Sequence, residues 1–402
     1  MLYRPPIAPI AAFALTALLA LPGHARDFTD SAGRRVMLPD HISRVVTAGP
    51  TADVMVYALA PRKLVGWSEP PHGRYRLAKA AWLRVTGLTL GPDIAGEAAI
   101  VSRLHPDVVI AAGAVTPARA ALIQQLQQQS GVPCILVADS VSRIPDVLRA
   151  VGSLLGVDKR AADLATYAEH AIDATRGRLL IQSSASRPRV YYARGFDGLE
   201  TALPGSPAGD AIDQAGAINV AALLGRGDWA VVTPQQVAGW APDIIIAQDS
   251  RFYRRVQRDP LWRNVPAVRE HHVYLEPSSP FGWVDDPPGI NRLIGLYWLT
   301  GLFYPDPTQE DLRDTVTEFY KTFYGIKLTS AQADAIVKPA VAPHRTDPME
   351  ALLGIGTPPS SALPPGMGLS PMTVPTGLPG SPRPGRRGMP PTPMLPPAGP
   401  TN

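Results

Sequence analysis

Leu104-His105-Pro106-Asp107-Val108-Val109-Ile110 and Trp240-Ala241-Pro242-Asp243-Ile244-Ile245-Ile246 are two copies of one device, set in distant halves of the chain. In each, a helical pattern runs into a proline that breaks it. A short run of apolar, largely β-branched residues follows at once, the pattern of a strand buried on both faces. Their recurrence predicts two related α/β lobes.

Outward from the first copy, Arg44 to Gly49, Lys63 to Trp67 and Cys134 to Ala138 are further apolar runs, and Asp53 to Leu59 and the stretch through Gln129 have helical spacing. These place a first lobe at residues 26–142. Around the second copy, Arg189 to Gly195 and His272 to Leu275 are additional strands of a second lobe at 186–338. The linking segment, 143–185, holds Ala161, Leu164, Ala165, Ala168, Ile172 and Leu179 on one helical face. From Asp158 to Ile181 it predicts a helix of ~35 Å, a rigid connection between lobes.

The two ends differ in kind. Arg4, the apolar run Ile7 to Leu21, and Gly23-His24-Ala25 read as a secretory signal over 1–25, cleaved near Ala25. The run is shorter than the ~20 residues of a membrane span. Residues 339–402 hold 18 of the 45 prolines and almost no aromatics, a composition that favours a disordered tail. The lone Cys134 leaves no internal disulfide, and no cysteine follows the apolar leader to carry a lipid, so the expected location is the periplasm. The net charge of +4 reads as spread along the chain, which argues against a nucleic-acid partner.

Several quoted segments carry a resemblance. Asp27-Phe28-Thr29-Asp30-Ser31-Ala32-Gly33-Arg34-Arg35-Val36 looks like the hairpin that opens periplasmic binding proteins for iron-siderophore, haem and cobalamin. Leu104 to Val109 resembles their first-lobe signature, and Pro234-Gln235-Gln236-Val237 with Ala241 to Ile245 resembles the second-lobe counterpart. Phe281-Gly282-Trp283 and Pro287 to Leu296 are similar to a branch that includes chelate and oxyanion binders. The likeness runs from about Asp27 to Ala335. It implies two Rossmann-like lobes with parallel sheets flanked by helices, one long backbone helix, and a ligand cleft between the lobes. It also implies a monomeric receptor that passes its ligand to an ABC permease dimer in the inner membrane.

In open α/β sheets ligands sit beyond the carboxyl ends of strands. That rule nominates Thr51, Trp67, Arg194, Arg251, Tyr253, Phe281 and Trp283 as ligand contacts. Arginine forks suit carboxylate, catecholate or oxyanion oxygens, and aromatic faces cover the body of a chelate. Arg194 and Arg251 lead because each directly follows a predicted strand, with an inter-lobe ion pair as the competing role. His72, His105, His271 and His272 are too scattered for a zinc site. No intrinsic cofactor is expected, and a metal enters only inside a bound chelate.

The expected cargo is an iron-siderophore-like chelate, with a bare oxyanion such as molybdate or tungstate as the rival. A periplasmic sensing protein that has left transport is a further alternative. No Gly-x-Ser-x-Gly, P-loop or paired carboxylates point to an enzyme. The resemblance implies one glutamate per lobe docking onto the importer, but the aligned positions are Ala99 and Gln235. Glu97, two residues from the first, is the possible substitute, although two residues turn a helical side chain by ~200°.

Overall fold

A computed structural model of the protein describes residues 25–69, 84–182, 187–305 and 312–337. The expected leader ahead of Ala25, His72 and the Pro-rich tail lie outside these residues. The described residues open with an antiparallel hairpin of β1 (Ala25–Thr29) and β2 (Arg35–Pro39). Asp30, at its turn, accepts from the Ala32 and Arg34 amides and from the Leu136 amide at 3.1 Å, which fastens the hairpin to the first lobe.

The first lobe then runs β3 (Val45–Ala48), α1 (Pro50–Leu59), β4 (Gly66–Trp67), β5 (Arg84–Val85), α2 (Ile94–Leu104), β6 (Val108–Gly113), α3 (Pro117–Ser130) and β7 (Cys134–Ala138). Strands β3, β6 and β7 form a parallel sheet with β6 at its centre. After α4 (Ile144–Leu154) comes α5 (Asp158–Leu180), the long helix that the periodicity predicts, packed against α4. The second lobe holds β8 (Arg189–Ala193), β9 (Glu200–Ala202), α6 (Pro207–Gln214), β10 (Ile218–Asn219), β11 (Trp229–Val231), α7 (Pro234–Trp240), β12 (Ile244–Ala247), α8 (Ser250–Val256), α9 (Pro266–Arg269) and β13 (Val273–Leu275). Its parallel sheet has the order β10-β8-β12-β13. Helices α10 (Arg292–Phe303), α11 (Leu312–Phe319) and α12 (Ser330–Val337) follow, and α10 packs on α5.

The strands read as unbroken apolar runs because successive side chains point to opposite faces and both faces are covered. In the first lobe Val45, Val108, Ile110, Ile135 and Val137 join a core that continues through α5 and α10 into the second lobe. Their neighbours Val46, Val109, Ala111, Cys134 and Leu136 line a separate core on the other face. The second lobe repeats the division, with Val190, Tyr192, Ile244 and Ile246 toward the shared core and Tyr191, Ala193, Ile245 and Ala247 toward an outer one. One apolar mass therefore ties both lobes to the connecting helix.

The duplicated device is duplicated in atomic detail. Helix α2 ends at His105 with φ 46°, and α7 ends at Ala241 with φ 47°, both left-handed caps just before the proline. Asp107 accepts from the Arg44 amide at 2.8 Å, and Asp243 accepts from the Arg189 amide at 2.7 Å. In return Arg44 donates to the Leu104 carbonyl at 2.7 Å, and Arg189 donates to the Trp240 carbonyl at 2.8 Å. Each Pro-Asp signature thus clamps the helix end to the start of the neighbouring strand, at Arg44 just before β3 and at Arg189 at the head of β8. A guanidinium on the last carbonyls also suits the negative end of the helix dipole.

Candidate functional site

The carboxyl ends of β3, β6 and β7 face the long loop Glu276–Asn291, which leads out of β13. Between them lies a cavity of ≈ 20 Å³ whose lining includes Thr51 and Asp139 from the first lobe and Gly289 and Ile290 from the loop. That is room for about one water molecule. Thr51 stands in the first turn of α1, whose cap, Gly49 at φ 108°, has no side chain to satisfy the leading amides. Pro50 has no N–H and the Ala52 and Asp53 amides donate to the Gly49 carbonyl at 3.2 and 3.3 Å, so within this first turn the Thr51 amide and hydroxyl are the donors left for a ligand. A Cβ built on Gly289 would come within 3.8 Å of the Thr51 carbonyl oxygen and side chain, so the loop crosses the cavity as close backbone.

Arg292 locks this arrangement. Its side chain is 1% exposed and donates to the Gly289 carbonyl at 3.2 Å, the Pro207 carbonyl at 3.2 Å and the Asp139 carbonyl. Asp210 Oδ2 lies 3.4 Å from the same guanidinium and also accepts from the Val141 amide at 2.8 Å. The Arg292–Asp210 pair therefore joins the end of β7, the N-terminal turns of α6 and the loop. A buried ion pair holds only when its remaining hydrogen-bonding groups are satisfied, and here carbonyls do so. Sequence reasoning missed Arg292, although a signal was present: it heads Leu293 to Phe303, a helix apolar on nearly every side. A charge there must be paired.

Among the candidates read from the sequence, Thr51 lines the cavity. Trp67 and Phe281 meet across the lobes with ring centroids 6.2 Å apart, and Tyr57 flanks Trp67 at 5.5 Å. Both are buried, as is Trp283, which packs edge-on against Trp298. The aromatic faces expected to cover a chelate are thus occupied by packing. Arg194 is held on three sides: Glu200 at 2.9 Å, Asp285 at 3.2 Å, and the Trp229 ring 4.3 Å from its carbon. Arg251 is exposed and paired with Asp249 at 2.5 Å, and neither it nor Tyr253 lines the cavity.

Behind Arg194 sits a buried acidic pair. Glu276 accepts from the Tyr192 hydroxyl at 2.7 Å and from the Val284 and Asp285 amides at 2.7 and 2.9 Å. Burial pushes its carboxyl up to about 8 despite those donors. Asp285 is likewise pushed up by burial, to about 6, against the pull of Arg194. In the first lobe Asp53 ties Thr47 and Ser68 together and is raised by burial to about 7. Among the described residues no group of three or more His, Cys, Asp or Glu side chains is arranged to hold a metal ion.

Two expectations need correction. Glu97 is 7% exposed, and its Oε1 turns inward to accept from the Gly91 amide at 2.6 Å. It cannot present its carboxylate outward in place of Ala99, because the turn between them places Ala99 on the surface and Glu97 beneath it. Gln235, by contrast, is exposed in the first turn of α7. The positive charge is also not evenly spread, since α8 carries a dense arginine face.

The profile of the periplasmic binding protein family matches residues 45–280. The chain belongs to that family. The molybdate-binding protein MolA of Haemophilus influenzae is 26% identical over 330 residues, covering 74% of this chain and 91% of that protein. An ABC transporter solute-binding protein from Sulfurospirillum deleyianum shares 26% identity with a TM-score of 0.69, over 77% of this chain and 98% of that one. A periplasmic solute-binding protein from Veillonella parvula shares 25% identity with a TM-score of 0.59, over 78% and 97% respectively. This family member thus has the two-lobed α/β architecture of receptors that serve ABC transporters. No helix among the described residues is long and apolar enough to cross a membrane.

Proposed function

We propose that this receptor is exported to the periplasm, captures a compact oxyanion of the molybdate type between its lobes, and delivers it to an importer's membrane subunits. The observation that carries this reading is the small cavity between Thr51, in the first turn of α1, and the Gly289 loop that Arg292 holds in place. Sites for drug-sized ligands occupy roughly 300–1,000 Å³, so a few-atom anion needs far less rearrangement than a chelate. The 26% identity to a molybdate-binding protein points the same way. An iron-siderophore-like chelate remains the second reading, because parting the lobes would bare Trp67 and Phe281 together.

The test is a thermal-shift and calorimetric titration with molybdate, tungstate, sulfate and ferric siderophores. Ligand at 100 times Kd adds about 2.7 kcal/mol of stability. Molybdate or tungstate should raise the melting temperature, and Thr51→Phe, which fills the cavity, should abolish the rise while the variant still folds. A rise with ferric chelates and none with any oxyanion would reject the proposal in favour of the second reading.

A further inference from the structure

Helix α8 and the turn after it read Ser250-Arg251-Phe252-Tyr253-Arg254-Arg255-Val256-Gln257-Arg258. Arg251, Arg254 and Arg255 recur at i, i+3 and i+4, which places them within an arc of about 100°, and Arg258 follows in the turn. All four are exposed, while Phe252 and Val256 on the other side are fully buried in the outer core of the second lobe. Arg251 and Arg255 have aspartate partners, Asp249 and Asp259. Arg254 and Arg258, one turn apart, have no ion pair among the described residues. Like charges at these spacings weaken a helix, so Arg254 and Arg258 add nothing to the stability of α8. Between 249 and 263, five arginines face two aspartates, a local net charge of +3.

Protruding apolar groups lie near the stripe in space or in sequence. Phe196 is 58% exposed and Leu261 61% exposed. Phe196 belongs to the turn that packs on α8: Arg255 donates to its carbonyl at 3.2 Å, and the Arg251 guanidinium carbon stands 5.9 Å from its ring centroid. A Cβ on Gly198, in that same turn, would strike the Phe252 ring at 2.4 Å, so the turn lies flat against the helix. The result is an arginine stripe flanked by an aromatic ring.

We propose that this face docks on the anionic phospholipid headgroups of a membrane. Guanidinium forks match headgroup phosphates bidentately, clusters of four or more basic residues bind anionic leaflets, and exposed Phe and Leu beside them enter the headgroup boundary. The contact is independent of the cleft and of which ligand it takes. It would hold a diffusing receptor against the membrane surface, turning a three-dimensional search for the permease into a two-dimensional one.

The experiment is co-sedimentation of the mature chain, from Arg26 onward, with phosphatidylglycerol-containing vesicles and with pure phosphatidylcholine vesicles, at low and physiological salt. Binding should require the anionic lipid and weaken as salt rises. Arg254→Gln/Arg258→Gln should lower partitioning about 30-fold, from roughly 1 kcal/mol for each cation near a charged surface. Both positions are exposed, so the melting temperature should stay within a degree or so of the parent, separating lost docking from lost folding. Phe196→Ser should weaken binding at high salt more than at low salt. Equal binding to both vesicle types, or unchanged binding by the double variant, overturns the proposal. So does retention only by vesicles that carry a permease, which would assign the stripe to a protein partner.

Discussion

Replacing Glu276 with glutamine tests whether the second lobe holds a neutral carboxyl at its centre. Glu276 is 2% exposed and touches Tyr192 and two amides but no cation among the described residues, and burial lifts its carboxyl from 4.5 to about 8. In the unfolded chain the group is ionised throughout the window from pH 6 to pH 9. In the native state it keeps its proton until about pH 8. The native state therefore binds more protons over most of that window, and stability falls as pH rises. Each unit is 1.36 kcal/mol, so the wild type loses about 2–3 kcal/mol from this group on going from pH 6 to pH 9. Glutamine does not titrate, and the Tyr192 hydroxyl can turn to accept from its amide. Urea denaturation at both pH values is the assay. The stability of Glu276→Gln relative to wild type should improve by about 2–3 kcal/mol at pH 9 compared with pH 6. Asp53, in the other lobe, is common to both proteins and cancels. A relative stability that is the same at both pH values would refute the reasoning, because it means that Glu276 is already ionised at pH 6.

Four further outcomes follow from the packing. Arg292→Ala should destabilise the protein by about 3–5 kcal/mol in denaturant titration, since it strands Asp210 and frees three carbonyls in the lobe interface. Arg292→Lys should restore little of this, because an ammonium cannot reach the same set of acceptors. Cys134, fully buried with its thiol raised by burial to about 12, should resist thiol reagents at pH 8 in the native state and label fully in denaturant. Ala241→Gly should be neutral to stabilising by up to about 1 kcal/mol, because it relieves an alanine held at φ 47° at the end of α7.

Much of the architecture was legible along the chain. The apolar runs at Val108 and Ile244 stood out because a strand covered on both faces needs apolar residues at every position, and such a run survives without any partner being known. The proline after each helix, and the spacing of Ala161, Leu164, Ala165 and Ala168, are equally local signals, and the helix Asp158–Leu180 follows from them. The hairpin at Ala25–Pro39 lies where the resemblance placed it. The arginine stripe of α8 was visible as a spacing too, but it passes unnoticed when charge is summed over the whole chain.

What tertiary structure decided was which polar residues meet. Arg292 finds Gly289 nearby, but Pro207, Asp210 and Asp139 come from distant segments, and no periodicity encodes that convergence. A strand-end position likewise says only that Arg194 points toward the cleft region; that Glu200, Asp285 and Trp229 enclose it depends on β9, β11 and the loop after β13 folding back together. Glu97 and Ala99 differ in sequence by two places and in environment by the width of a helix. Sequence alone determined the elements, because their signals are short-range and repeat with the backbone's own period. The site was decided by the fold, because charges are balanced by whatever the chain brings within a few ångströms, and that is a property of the packed molecule.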